Sequence, residues 1–447
     1  NDDVRVGGYR VRVGDEPWQQ LPASARSFTG RGTACSRVSV VAVDRARNSS
    51  KPATALATPP PDEGGDGQRG PAPALVPLPA PTPIPIPIPL PPLPGGSSCE
   101  EEIGSGLPPR LPLSRGATYH VAPTGSDSNP GTEAAPWRTI QKAANTLRAG
   151  ETALVAGGLY IENVTITRSG TATAPFTIRN RPGERPILRA GLAGLDNMPV
   201  QIRNAAYVRL QGLVFEGATG PSTTNIYASG STHDVEISDC EVRNSARQGF
   251  FSERTTARIH IIGCHFHDNG GTGRIQQDHN IYVEGSHHAL INNLIRNAPN
   301  GFGVQIYPSN DHIVVAGNTI ASNFRDGIIL GSSGTTTTSN ALIVNNIITD
   351  SRAAVSTYWG GPVGYGNVAR TNLAWGNTQG NFTGSGVTYE NNRVRDPAYA
   401  NPGAGDYRPR AGSAALDVAE RAYVNPSDLD GTTRPQGRGP DLGAYER

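Results

Sequence analysis

Five consecutive residues, Asp278, His279, Asn280, Ile281 and Tyr282, place a carboxyl, an imidazole and a phenol close together, with Arg274 just upstream. An imidazole with pKa near 6.5 can take a proton at neutral pH, and a phenol with pKa near 10 can return one. A guanidinium can neutralise a substrate carboxylate. We therefore assign the proton work to His279 and Tyr282, with Asp278 beside them. Arg274, or Arg325 further along the chain, holds the anion. A second chemistry needs paired carboxyls. Asp278 with Asp326, or Glu253 with Glu284, are the candidate pairs. The plainer reading is that His279 caps its turn by bonding Asp278 or a backbone carbonyl.

The elements that must hold these groups repeat. Ile226, Phe250, Ile281, Val304, Ile328 and Val355 each sit in a short apolar–polar alternation, at steps of 24, 31, 23, 24 and 27 residues. Such periods mark a solenoid. Alternation by two with many Val, Ile, Phe and Tyr marks strands rather than helices. A second column, Asn293, Asn318, Asn346, Asn372 and Asn392, keeps the same beat and begins with Cys240 and Cys264. Asparagines stacked this way can bond the turn backbone of the next coil. The pattern predicts a parallel β-helix. Its coil at Asn280 has strands at 280–284, 289–291 and 294–296.

If Ile281 points inward, its neighbours point outward. One outward column then reads Tyr227, Phe251, Tyr282, Gln305, Ile329 and Ser356, and the next reads Ser229, Glu253, Glu284, Tyr307, Gly331 and Tyr358. The preceding turns supply Arg247, Asp278, Arg325 and Arg352, followed by Gln248, His279, Phe302 and Asp326. Extra lengths at 268–277, 331–340 and 357–366 would wall a groove along this face. We expect Tyr227, Glu253, Glu284, Gln305, Tyr307, Asp326, Tyr358 and Trp359 to line it. Aromatic and polar walls suit a polysaccharide.

The chain has 447 residues and a net charge of +1, which gives no bias toward nucleic acid. No apolar run is long enough for membrane insertion. No signal peptide opens the chain, and residue 1 reads as the middle of a domain. Lysine occurs only at 51 and 142. The four cysteines have no metal-binding spacing. Cys240 and Cys264 read as a buried thiol stack, and Cys35 and Cys99 can pair in an oxidising compartment. No metal is expected from the His positions, and oligomeric state is not encoded legibly.

Three regions follow. Residues 1–58 contain Val-Gly-Gly-Tyr-Arg-Val-Arg-Val at 6–13 and Ser-Arg-Val-Ser-Val-Val-Ala-Val-Asp at 36–44. This stretch resembles the later strands of a fibronectin type III domain. Residues 59–113 form a Pro-rich linker, with alternating proline at 81–92 expected to run as an extended rod. Residues 114–447 form the β-helix and are expected to fold alone. They include a cap helix at about 139–148, with Ile140, Ala143, Ala144 and Leu147 on one face, and a C-terminal tail at about 396–447.

The third region carries Gly-Ser-Asp-Ser-Asn-Pro-Gly-Thr at 125–132 and Gly-Gly-Leu-Tyr-Ile-Glu-Asn-Val at 157–164. It also has the asparagine column and, at 439–446, Gly-Pro-Asp-Leu-Gly-Ala-Tyr-Glu. Together these resemble the pectate-lyase-like superfamily of right-handed parallel β-helices. The resemblance implies an all-β fold and a secreted, bacterial, polysaccharide-active protein whose partner is an acidic polysaccharide. The first reading is a lyase that cleaves a uronate-containing chain by β-elimination. Alternatives are an inverting glycoside hydrolase and a non-catalytic glycan-binding or surface-structural protein. The superfamily's commonest pattern uses Ca²⁺ held by clustered acids and a Lys or Arg base. This chain has no dense acidic cluster and no lysine after 142, which argues against a typical Ca²⁺/Lys lyase, so no cofactor is expected, with Ca²⁺ as the open alternative.

Overall fold

The computed structural model describes residues 106–447, except 192–196, 218–222, 335 and 359–362. Before residue 106 it describes six strands by their backbone alone, as it does Tyr358. The chain divides into two compact units, Asn1–Ile103 and Gly104–Arg447. In the first, Gln19–Pro22, Val6–Val13, Arg37–Asp44 and Ala53–Leu56 form an antiparallel sheet in that order. Ser27–Gly30 pairs separately with Ala74–Pro77, so the Pro-rich region contributes a strand. The alternating prolines, Cys35 and Cys99 lie outside the described residues.

The second unit is a parallel β-helix. The coil at Asn280 has strands Ile281–Ser286, Ala289–Ile291 and Leu294–Arg296, within a residue or two of expectation. Third strands stack into a ten-stranded sheet. First strands pair in the expected order, Ile226↔Phe250, Phe250↔Ile281, Ile281↔Val304, Val304↔Ile328 and Ile328↔Val355. All six side chains are buried in one continuous core. Burial of this alternate set fixes the register, since a one-residue slip would turn every one of them to solvent.

The asparagine column is a hydrogen-bonded ladder. Asn293 N–H donates to Asn318 Oδ1, Asn318 to Asn346, Asn346 to Asn372 and Asn372 to Asn392, all at 2.9–3.0 Å. The residue before each ladder position has positive φ, as at Asn292, Gly317 and Asn345. Asparagine and glycine tolerate that conformation best, which explains the recurring Asn-Asn and Gly-Asn pairs. Cys240 and Cys264 are free, buried thiols at the ladder's N-terminal end, where Cys264 N–H donates to Asn293 Oδ1 at 2.8 Å. A second ladder went unseen in the sequence. Asn269 bonds Asn280 at 2.9 Å and Asn280 bonds Asn323 at 3.1 Å, pinning the turns that lead into the first strands.

A helix at Ile140–Thr146 buries Ile140, Ala143 and Ala144 beside strand Val164–Ile166. Thr139 caps it, and Glu162 accepts from the Ile140 and Gln141 amides at 2.8 and 2.9 Å.

Two segments cover outer faces of the solenoid. The C-terminal tail lays Tyr399, Tyr407, Leu442 and Tyr445 over Leu294, Ala321, Ile347 and Leu373 of the third-strand sheet. Residues 106–113, assigned to the linker by sequence, run instead as a strap across the second-strand sheet. Leu107 packs on Ile262, Ala289 and Ile291. The fully buried Glu236 accepts from Arg110 at 2.8 Å, the Leu111 amide at 3.0 Å and Arg209 at 2.9 Å. The outer face of the first-strand sheet carries the cavity described next.

Candidate active site

Tyr227, Phe251, Tyr282, Gln305, Ile329 and Ser356 lie in register across the first-strand sheet, as the alternation required. The first three form a stack. The rings of Tyr227 and Phe251 are 5.5 Å apart and those of Phe251 and Tyr282 are 4.8 Å apart, both near parallel. Beside this aromatic rail stand Glu253 and Glu284. The Tyr227 hydroxyl and the Gly230 amide donate to Glu253, and the Tyr282 hydroxyl donates to Glu284 Oε1 at 3.2 Å.

The rail ends in a cavity of about 550 Å³. Its floor is His279, Tyr282, Gln305 and Tyr307, and its walls are Arg247, Gln248, Ile275, Gln276, Gln277, Ser332 and Ser333. Ile275, Gln276, Gln277, Ser332 and Ser333 belong to two of the expected insertions, while Arg247 and Gln248 stand at the entry to strand Gln248–Ser252. The loop at 270–277 is tied to the turn beneath it by Gly270 N–H to Ser245 O and Thr272 N–H to Ala246 O. The turn at 332–337 is closed by Ser333 and Thr336.

His279 differs from its expected setting. Its ring is 1% exposed, packed edge-on against Tyr282 and beside Phe302. The Phe302 amide donates to Nδ1 at 3.2 Å, so the neutral ring carries its proton on Nε2. Burial, reinforced by the field of Arg247, pushes its pKa down to about 3. In this state His279 is a hydrogen-bond donor with no lone pair free to act as a base. Gly301 permits the seal, because a Cβ there would overlap the Asp278 carbonyl and crowd the imidazole.

Burial, then Glu284, raises Tyr282 well above an ordinary phenol. Burial also raises Glu284, against the opposing effects of the Tyr282 hydrogen bond and Arg254. Burial lowers Arg247, and Asp278 opposes that shift.

The assigned cations stand elsewhere. Arg274 is exposed on the 270–277 loop, and Arg325 is half-buried with its guanidinium 5.7 Å from the Phe324 ring. Neither lines the cavity. Among its described lining residues the one cation is Arg247, which the sequence placed in the right column without singling it out. Asp278 is also displaced from its expected role. It is fully buried beneath the loop, where Oδ2 accepts from Thr272 Oγ1 at 2.6 Å and from the Arg274 amide at 3.1 Å. Asp326 is fully buried too, bidentate with Arg352 at 2.6 Å. The Asp278–Asp326 carboxyl pair is therefore committed to structure. The side chain of Tyr358, and Trp359 as a whole, lie outside the described residues.

The donor set does not fit a calcium site. Ca²⁺ needs six to eight oxygens with clustered carboxylates. Here Asp278 and Asp326 are spent, Glu253 and Glu284 each accept a phenol, and no described group of three or more His, Cys, Asp or Glu is placed to hold a metal.

A family model for the Pel9A-like right-handed β-helix region matches residues 119–408. The chain belongs to this family. Pectate lyase PEL9 of Emericella nidulans is 33% identical over 154 residues, which are 31% of this chain and 36% of that protein. The uncharacterized protein YwoF of Bacillus subtilis is 30% identical over 135 residues, 29% of each chain. The matched stretches thus span about a third of these curated relatives. The crystal structure of pectate lyase Pel9A superposes with a TM-score of 0.53 at 15% identity, covering 75% of this chain and 97% of that one. At that identity the likeness concerns the fold.

Proposed function

We propose that this protein is a polysaccharide lyase that cleaves a uronate-containing chain by β-elimination. The observation that carries the reading is one cavity lined by both Arg247 and Tyr282, at the end of a three-ring rail, with Glu284 hydrogen-bonded to the Tyr282 hydroxyl from beside it. Sugar faces stack on the rail. Arg247 takes the uronate carboxylate, which makes the C5 hydrogen more acidic. Glu284 accepts the Tyr282 phenolic proton as the phenol oxygen takes the C5 proton. Electrons from the C5–H bond form the C4–C5 double bond as the C4–O bond breaks. Tyr282 then protonates the leaving oxygen and recovers its own proton from Glu284, so both residues end as they began. Burial raises the proton affinity of Glu284, which favours its taking the proton, and that of Tyr282, which opposes this transfer but makes the phenolate a stronger base toward the C5 hydrogen. His279 contributes Nε2–H as a donor.

A panel of acidic polysaccharides, pectic, alginate and unsulfated chondroitin, tests this. Ultraviolet-absorbing unsaturated ends should appear with at least one. Glu253 and Glu284 each follow a residue of the Ser252↔Val283 pair, so their backbones lie one coil apart, about 4.8 Å, near the 5–5.5 Å of a retaining glycosidase pair. New reducing ends without that absorbance would replace the lyase with a hydrolase. Binding without either product would leave a glycan-binding protein.

The same reading places the protein outside the cell, with the antiparallel unit as a fibronectin type III-like spacer and the Ile140–Thr146 helix closing the end of the solenoid. An export signal on the native precursor is the expected observation, and its absence would overturn that location.

A further inference from the structure

We propose that Asp278 is a positioning residue, which couples the 270–277 loop to the orientation of the carboxylate-binding Arg247. The inference rests on the lyase reading for Arg247's partner, but its geometry stands independently. Asp278 is fully buried, and its two oxygens have different tasks. Oδ2 holds the loop through Thr272 and the Arg274 amide. Oδ1 has no hydrogen-bond partner among the described residues and lies 3.8 Å from Arg247 Nε, which is equally buried and equally without one. A guanidinium–carboxylate hydrogen bond closes at about 2.7–2.9 Å, so this contact is slack by about 1 Å. Arg247's other tie, Nη2 to Gln277 O, is slack as well at 3.5 Å. Both ties come from the base of the same loop.

A guanidinium has two usable edges. If Nε is held by Asp278, the edge bearing both Nη groups is left for a ligand carboxylate in the cavity. Asp278 supplies what keeps that edge outward, and its anion offsets the burial that works against Arg247's charge. When the loop settles by about 1 Å over a bound sugar, Asp278 moves with it, and Oδ1 reaches hydrogen-bond distance of Nε. Loop closure and anion binding then reinforce each other.

Asp278→Asn separates the two tasks. The amide oxygen can still accept from Thr272 and the Arg274 amide, while the amide NH₂ faces Arg247 Nε, donor against donor. Thr272→Val loosens the loop and leaves Asp278 charged. In the full chain, Asp278→Asn should raise KM for polygalacturonate or alginate about tenfold or more, with kcat falling less, and should bind methyl-esterified pectin as the wild type does. Thr272→Val should raise KM about threefold. The melting temperature of Asp278→Asn should stay within a few degrees of wild type. Labelling with phenylglyoxal, mapped to Arg247 by mass spectrometry, reads the orientation without any substrate. Arg247 should react several-fold faster in Asp278→Asn. If the wild type gives no unsaturated ends but Arg247 labelling still rises in the variant, the lyase reading fails and the positioning role stands. If labelling is unchanged, or if acidic and esterified polymers lose equally, Asp278 is merely structural and the proposal is overturned.

Discussion

The Phe302 amide donates to Nδ1 of His279 across 3.2 Å, from one coil to the next. That bond turns an apparent base into a buried donor and gives the protein an acid-sensitive joint. His279 is pushed down to about 3, and His260 and His288 to about 4, each chiefly by burial. The unfolded chain binds these protons near pH 6.5 and the folded chain does not. Stability is therefore complete above about pH 6.5 and falls as pH drops toward 4. Melting temperature should decline across that window, and His279→Gln should decline less steeply. A flat wild-type profile from pH 7 to 4.5 would contradict this.

Tyr282→Phe removes one hydroxyl and keeps the ring that stacks on Phe251. General acid–base catalysis contributes about 10²–10⁴-fold, so turnover should fall by that much. The melting temperature should hardly move. Steady-state rates on whichever polysaccharide is cleaved, beside a thermal melt, check both halves. Retained turnover would remove Tyr282 from the proton path.

Asn318 accepts from the Asn293 amide and donates to Leu290 O in the buried ladder. Asn318→Ala leaves both groups unpaired, at about 1–3 kcal/mol each. Chemical denaturation should show a loss of about 2–6 kcal/mol. The ladder lies at the turn between second and third strands, so activity of the folded protein should persist.

Glu236 would be raised by burial alone, and its bonds to Arg110 and Arg209 more than reverse that. Arg110→Ala withdraws one of its partners from a fully buried carboxylate. Thermal stability should drop, and proteolysis within residues 106–113 should quicken as the strap loosens. An unchanged cleavage pattern would mean that the strap does not depend on this ion pair.

The coil order, the inward column and the outward aromatic column were legible because a strand has a period of two and each coil repeats it. Ile281 and Tyr282 face opposite ways for no other reason. The cavity was legible only in part. Part of its wall comes from insertions, whose paths follow no period, so Arg274 was expected inside and lies outside, while Arg247 stood in the expected column with nothing to distinguish it from Arg325 and Arg352. His279 was expected at the surface because its position in the turn is known from sequence, whereas Phe302, which covers it, belongs to the next coil. The second ladder was missed since Asn269 and Asn280 are 11 residues apart and Asn323 is 43 further on, spacings set by the loop between them.

The first ladder has a consequence for how such a chain can change in length. Its successive members are 25, 28, 26 and 20 residues apart, yet the bonds between them are the same to 0.1 Å. The joint is indifferent to how much chain each coil contains. A whole coil duplicated or deleted within this run presents the next asparagine to the previous one unchanged. The fold can therefore be extended by copying, about 4.8 Å at a time, with turns free to vary and the joint conserved in form. In such a molecule, the length of the solenoid and the composition of the cavity on its face are separable variables.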